Sequence, residues 1–263
     1  MKLVTFDPGT GPRCGVLRDD DVVDVSSLIG VQTLRDVREL LELDDSPINR
    51  VRDSLTHNVT APRVPLADVT LRSPILQPPT VRDFIVYEEH ASSQGTREPA
   101  EVWYRMPVFY FSNPLCIYGP DAQIPFPSAS QQFDYELEIG CVIGREGTNV
   151  SEAEALNYVA GFTLFNDWSS RDLQADEMTF GLGPAKGKDT ASSIGPWLVT
   201  MDEMEPFLKD GRLHLRCEVK VNGDTWLTDG SAQDAYYTFG DMIERASRDS
   251  RICLLYTSDA ADE

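Results

Sequence analysis

Histidine is scarce in this 263-residue chain, with three copies, and its five cysteines include no CxxC pair, so the usual sulfur and imidazole sets for zinc are missing. Cys14, Cys116, Cys141, Cys217 and Cys253 are scattered and read as reduced thiols that fill the core. No run of about 18 apolar residues occurs, which argues against a membrane span. The opening MKLVTFDPGTG has no apolar signal region, so a cytoplasmic protein is expected. Basic residues are in deficit, 23 Lys and Arg against 43 Asp and Glu, for a net charge of −20 and a pI near 4.4. A nucleic-acid partner needs clustered Lys and Arg on its phosphate contacts, so none is expected. What the chain does have is 41% apolar residues, enough core for one large domain with a small appendage.

Residues 1–70 read as a small N-terminal α+β unit. Met1–Phe6 and Arg13–Val25 alternate like short strands, and Thr33–Leu43 predicts an amphipathic helix with Leu34, Val37, Leu40 and Leu41 at helical spacing. The proline-rich stretch from Pro62 to Pro79 suits a connector or edge strand, and the domain boundary is placed there. Residues 103–128 combine aromatics with five prolines and predict short strands joined by tight turns, as plain core or as the lining of a pocket for a small organic substrate. Further on, Ser151 caps an acidic helix start, His214–Val221 and Asn222-Gly223 predict a strand and hairpin turn, and Phe239–Ser247 a short helix. His57 and His214 read as structural.

The chemistry concentrates between Phe133 and Trp197. Asp134–Gly140 alternates, so as a strand it points Glu136 and Glu138 from one face. On their own these two also read as the wet face of a sheet. Asp167, just ahead of a helix start with Arg171 one turn on, makes them a set of three hard oxygen donors suited to Mg²⁺, Mn²⁺ or Ca²⁺ rather than zinc. Upstream, Asp83 and the run Glu88-Glu89-His90 form a polar cluster that reads as a solvated helix face or as an acid–base group. Gly183–Asp189 is a glycine-rich loop with two lysines. Its spacing fails as a nucleotide-phosphate loop, because Leu182 stands five before Gly187 and Asp189 follows Lys188, but a lysine there can stabilise an oxyanion.

The runs DYELEIGCVIGREGTNVS, GFTLFNDWSSRDLQ and GPAKGKDTASSIGPWLVT, with VRDFIVYEEH and MPVFYFSNPLCIYGPD upstream, strongly resemble the fumarylacetoacetate hydrolase family over roughly residues 75–250. The resemblance implies an α+β, mostly β fold: a fumarylacetoacetase-type mixed β-roll catalytic domain with a small N-terminal domain, dimeric and dependent on Mg²⁺ or a similar ion. It places Glu136, Glu138, Asp167 and Asp83 at the metal, His90 with Glu89 or Glu88 as general base, and Lys188 as the catalytic lysine. Arg171 and Gln174 fall on substrate-contacting positions and Tyr110 on the pocket wall.

The implied activity is hydrolysis of a carbon–carbon bond in an acylpyruvate or fumarylacetoacetate-like β-diketo acid from aromatic catabolism, by a homodimer. Relatives also isomerise or decarboxylate 2-hydroxy-diene or 2-oxo-ene dicarboxylic acids at such a site, and a non-catalytic metal-binding homologue is a further alternative. The catalytic domain is expected over 71–251. From Ile252 the chain reads ICLLYTSDAADE, which lacks the family's closing motif and is expected to be a foreign tail over 252–263. Such a tail would leave the sheet without its closing strands and the protein poorly soluble or inactive.

Overall fold

The computed structural model describes residues 1–263 except 44–45, 58–60, 93–97, 254 and 259–263, with only the backbone described at 229 and 255–258. The chain opens with strands β1 (Lys2–Asp7), β2 (Arg13–Arg18) and β3 (Asp21–Asp24), followed by the short helices α1 (Val25–Ile29) and α2 (Val37–Leu41) and the longer α3 (Pro47–His57). Helix α2 is shorter than the Thr33–Leu43 pattern predicts. Asp36 caps it by accepting the N–H of Glu39, while the carbonyl of Leu34 is taken by the N–H of Cys14 at 2.9 Å, so the residues before the cap follow β2 rather than a helix.

Strands β4 (Arg63–Pro65) and β5 (Thr70–Arg72) follow, then β6 (Thr80–Ile85), helix α4 (Glu88–Ala91), and strands β7 (Val108–Ser112), β8 (Ile117–Tyr118) and β9 (Phe133–Asp134). The middle of the chain holds β10 (Leu137–Ile143), β11 (Gly147–Thr148), α5 (Glu152–Ala155), β12 (Val159–Asp167), β13 (Ser169–Ser170) and α6 (Arg171–Phe180). The remainder comprises β14 (Ser192–Thr200), α7 (Met201–Met204), β15 (Leu208–Lys209), β16 (Arg212–Leu213), the hairpin β17 (Arg216–Val221) and β18 (Asp224–Ser231), α8 (Phe239–Ser247), β19 (Arg251–Ile252) and β20 (Leu255–Ser258). This is the expected α+β, mostly β class. No helix among the described residues is long and apolar enough to cross a membrane.

One sheet runs in the order β4-β3-β2-β1-β14-β12-β10-β20-β6-β7. The N-terminal strands join this sheet: β1 pairs with β14 through Lys2 and Leu3, and Leu3, Val16, Leu40 and Val51 share a core with Val81, Val142, Phe165 and Ile194. The boundary expected at 70 falls beside β5, which itself pairs with β1. The backbone of β20 lies between β6, in parallel, and β10, antiparallel, with Ser258 the last pair, opposite Asp83.

Strand alternation divides the sheet into two faces. Phe84, Ile139, Cys141 and Phe162 belong to a core capped by Met242, Ile243 and Ala246 of α8. The opposite face carries Val81, Val142, Phe165 and Ile194. Continuing that face by even steps along β6, β10 and β12 leads from Val81 to Asp83, from Val142 to Glu138 and from Phe165 to Asp167.

Candidate active site

Seven of the ten residues singled out from the sequence converge on this face. Asp83 pairs in register with Tyr110 across β6 and β7. Glu138 lies on β10 and Asp167 ends β12, the latter fully buried and the former 1% exposed. Glu136 lies just before β10 rather than within a strand that starts at Asp134. Phe133 and Asp134 pair with β13, and the chain then swings so that Glu136 N–H donates to Asn166 Oδ1 at 3.0 Å and its carbonyl accepts Asp167 N–H at 3.2 Å. Both glutamates remain buried.

Lys188, 3% exposed, enters from the short helical turn Lys186–Lys188. Its Nζ lies 2.5 Å from Glu136 Oε2 and 2.8 Å from Asp167 Oδ2. Arg171, at the start of α6, donates from Nη1 to Glu136 Oε1 and from Nε to Asp134 Oδ2 at 3.1 Å. Tyr110 Oη donates to Asp83 Oδ2 at 2.9 Å and to Asp167 Oδ2, beneath the Lys188 ammonium, which stands 5.8 Å from the ring centre. Glu136, expected as a metal ligand, is thus bridged by both cations. Asp83, Glu138 and Asp167 form the compact acidic group, each offering a carboxylate oxygen within 4.8 Å of the others.

Charge and solvation explain what this arrangement asks for. Asp83, Glu136, Glu138 and Asp167 bring four acidic groups that are buried together with Lys188, while Arg171 reaches Glu136 from a partly exposed position. Glu138 Oε2 and Asp167 Oδ1 are buried with no hydrogen-bond partner among the described residues. Leaving buried carboxylate oxygens unpaired is costly, and burial together with neighbouring carboxylates pushes Glu138 well above the usual acid range; burial raises Asp167 as well. Burial acts upward on Glu136 too, but Lys188 and Arg171 outweigh it and hold it down to about 2. For Lys188, burial pulls downward and the facing carboxylates, Asp167 and Glu136 first, prevail and raise it. The orphaned oxygens and the all-oxygen donor set fit one divalent cation of the Mg²⁺, Mn²⁺ or Ca²⁺ type.

The remaining three residues are placed less directly. His90 is half-buried on α4, near enough to Glu136 to act on its carboxyl. Glu89 is exposed on the same turn, and Glu88 receives the Tyr104 hydroxyl at 2.5 Å. Gln174 is half-buried on α6, where its backbone packs so closely on Gly187 that a Cβ there would lie 2.8 Å from the Gln174 nitrogen. Asp134, which clamps Arg171, was not singled out from the sequence as a site residue. Its signal was available, since it continues the Glu136 and Glu138 alternation by one step.

The family model described as "Fumarylacetoacetate (FAA) hydrolase C-terminal" matches residues 80–255. A fumarylacetoacetate hydrolase domain-containing protein 2 homolog of Dictyostelium discoideum is 30% identical over 227 residues, 82% of this chain and 72% of the relative. A mitochondrial oxaloacetate tautomerase of Xenopus laevis is 30% identical over 229 residues, 85% of this chain and 68% of the relative. In fold, the chain resembles a maleylpyruvate hydrolase from Sphingobium sp. SYK-6, crystallised with manganese(II) and pyruvate, at a TM-score of 0.75 and 20% identity over 100% of this chain and 89% of that one. It also resembles a 5-carboxymethyl-2-hydroxymuconate delta-isomerase from Mycobacterium smegmatis, at a TM-score of 0.68 and 23% identity, covering 99% and 87%.

Proposed function

The chain belongs to the fumarylacetoacetate hydrolase family, and we propose that it is a divalent-metal-dependent hydrolase of the carbon–carbon bond in an acylpyruvate or related β-diketo acid. The observation that carries this is the buried set Asp83, Glu138 and Asp167, with two oxygens unpartnered and a lysine fixed at its edge. These carboxylates would hold the ion, with Glu136 beside them; when bound, it supplies Lewis-acid polarisation of the substrate's oxygens. The protein's own groups do the rest. His90 takes a proton from water, whose oxygen adds to the acyl carbon. The bond to the adjacent methylene carbon breaks, its electron pair passes into the enolate of pyruvate, and Lys188 and Arg171 steady the negative charge until that carbon takes up the proton held by His90. Tyr110 keeps Asp83 and Asp167 in register, and Gln174 faces the substrate.

A second reading has one specific support, the tautomerase among the relatives at 30% identity. In it the same residues only move protons between carbon and oxygen of a 2-oxo acid, or isomerise a 2-hydroxy-diene dioate, and no bond between carbons breaks. Incubation with an acylpyruvate in deuterated buffer with Mg²⁺ or Mn²⁺ separates the two. Hydrolysis releases pyruvate and a second carboxylic acid; deuterium at C-3 of intact substrate without any pyruvate would favour the second reading. We further propose a homodimer, because exposed Leu164, Phe207 and Trp226 are large apolar groups that a partner copy would cover. Light scattering is expected to return twice the 29.3 kDa chain mass, and a monomer would contradict it.

A further inference from the structure

Lys188 has to be delivered to one point between Glu136 and Asp167, yet the segment that delivers it has little packing of its own. Phe180 and Leu182, on the way from α6 to the lysine turn, are 83% and 80% exposed. After the lysine the chain is secured by Asp189, whose Oδ1 accepts from Asn113 Nδ2 at 2.9 Å and whose Oδ2 pairs with Lys186 Nζ at 2.6 Å. Before it, the tether is Glu177. Its Oε1 accepts the Lys186 N–H at 2.7 Å, and its Oε2 accepts those of Ala185 at 2.9 Å and Gly187 at 3.1 Å. Successive backbone donors turned onto one anion form a small nest. Glu177 lies on α6 at steps of three from Gln174 and Arg171, so one side of this helix grips the lysine turn, meets Gly187 at Gln174 and carries the arginine.

We propose that Glu177 is a positioning residue, fixing the lysine turn through three backbone hydrogen bonds and so setting where Lys188 enters the carboxylate cluster. Its carboxyl is held below the usual range despite partial burial, because the Ala185, Gly187 and Lys186 amides favour the charged form. A glutamine keeps the shape but has one acceptor oxygen where the turn presents three donors, so at least one N–H loses its partner and the amide NH₂ faces the others. The effect expected on turnover rests on the role given to Lys188 above; the placement of the lysine does not.

The test is competitive acetylation of the full chain, Glu177→Gln and Glu177→Ala beside the parent, with each lysine quantified by peptide mass spectrometry. In the parent, Lys188, 3% exposed and held between Glu136 and Asp167, should react slowly. In both variants its rate should rise at least about tenfold relative to Lys209 and Lys220, the change expected from losing hydrogen bonds to a charged acceptor. Where turnover is measurable, kcat should fall with KM little changed. An unchanged Lys188 ratio in the folded Glu177→Gln protein would overturn the proposal. So would a uniform rise at every lysine, which would make Glu177 a support of the whole domain. A selective rise at Lys188 in a protein that turns over no β-diketo acid would leave the positioning role standing and count against the proposed reaction.

Discussion

Glu138 concentrates the physical problem of the site, since it is a carboxylate with an unpartnered oxygen, three acidic neighbours and no bridging cation of its own. In metal-free protein the change Glu138→Gln removes an ionisable group from among three carboxylates and should therefore raise Tm by a few degrees. It should also abolish the rise in Tm that Mn²⁺ produces in the parent. A lower Tm for the variant would mean that the carboxylate is already satisfied. Lys188→Met works in the opposite direction. It leaves Glu136 and Asp167 without the cation between them and should destabilise metal-free protein by about 3–5 kcal/mol, read by denaturant unfolding. At this scale much was legible in advance. Glu136, Glu138 and Asp167 could be read from alternation and donor type, and Lys188, Arg171, Asp83 and Tyr110 from the resemblance. The split among the carboxylates was not legible, because which of them receives Lys188 depends on the swing of the chain before β10, set by the pairing of β9 with β13. Glu177 was hidden for a similar reason, since its partners are main-chain groups that no side-chain pattern reveals.

Among the elements, β12 and β20 carry the most consequence for the site. Gly161 of β12 pairs with Val142 and Thr200, and a Cβ built on it would lie 2.1 Å from the carbonyl oxygen of Val199. Gly161→Ala should thus cost roughly 2–3 kcal/mol by overpacking a place where backbone cannot yield, and should weaken metal binding through Asp167 at the end of the strand. Stability equal to the parent's would show that β14 moves aside freely. Strand β20 joins β6, which carries Asp83, to β10, which carries Glu138, with Thr257 paired to both. Proline at Thr257 removes an N–H from a central strand and should uncouple the two carboxylates, lowering Mn²⁺ affinity along with Tm. The β17–β18 hairpin was readable from Asn222-Gly223, and α8 spans the Phe239–Ser247 helix expected from the sequence. The place of β20 was not, because pairing between distant segments leaves no local trace.

For the whole molecule, the acidic surplus of the site links metal uptake to pH. Glu138 and Asp167 are both raised, so they hold protons at pH values where ordinary carboxylates have lost them, and a cation must displace those protons. Mn²⁺ affinity should accordingly strengthen as pH rises, with proton release visible by calorimetry in buffers of different ionisation enthalpy. Glu136 has the opposite sign. Its folded value lies near 2 against an ordinary 4.5, so the stability it contributes is present above the ordinary value and drains away as pH falls from there toward 2. The measurement that bears most directly on the proposed function is pyruvate release from an acylpyruvate by metal-stripped protein, by the same protein after Mn²⁺ or Mg²⁺ is restored, and by Glu138→Ala. Metal-dependent hydrolysis at Asp83, Glu138 and Asp167 predicts pyruvate only from the restored parent protein. Undiminished release from stripped protein, or from Glu138→Ala, would contradict it.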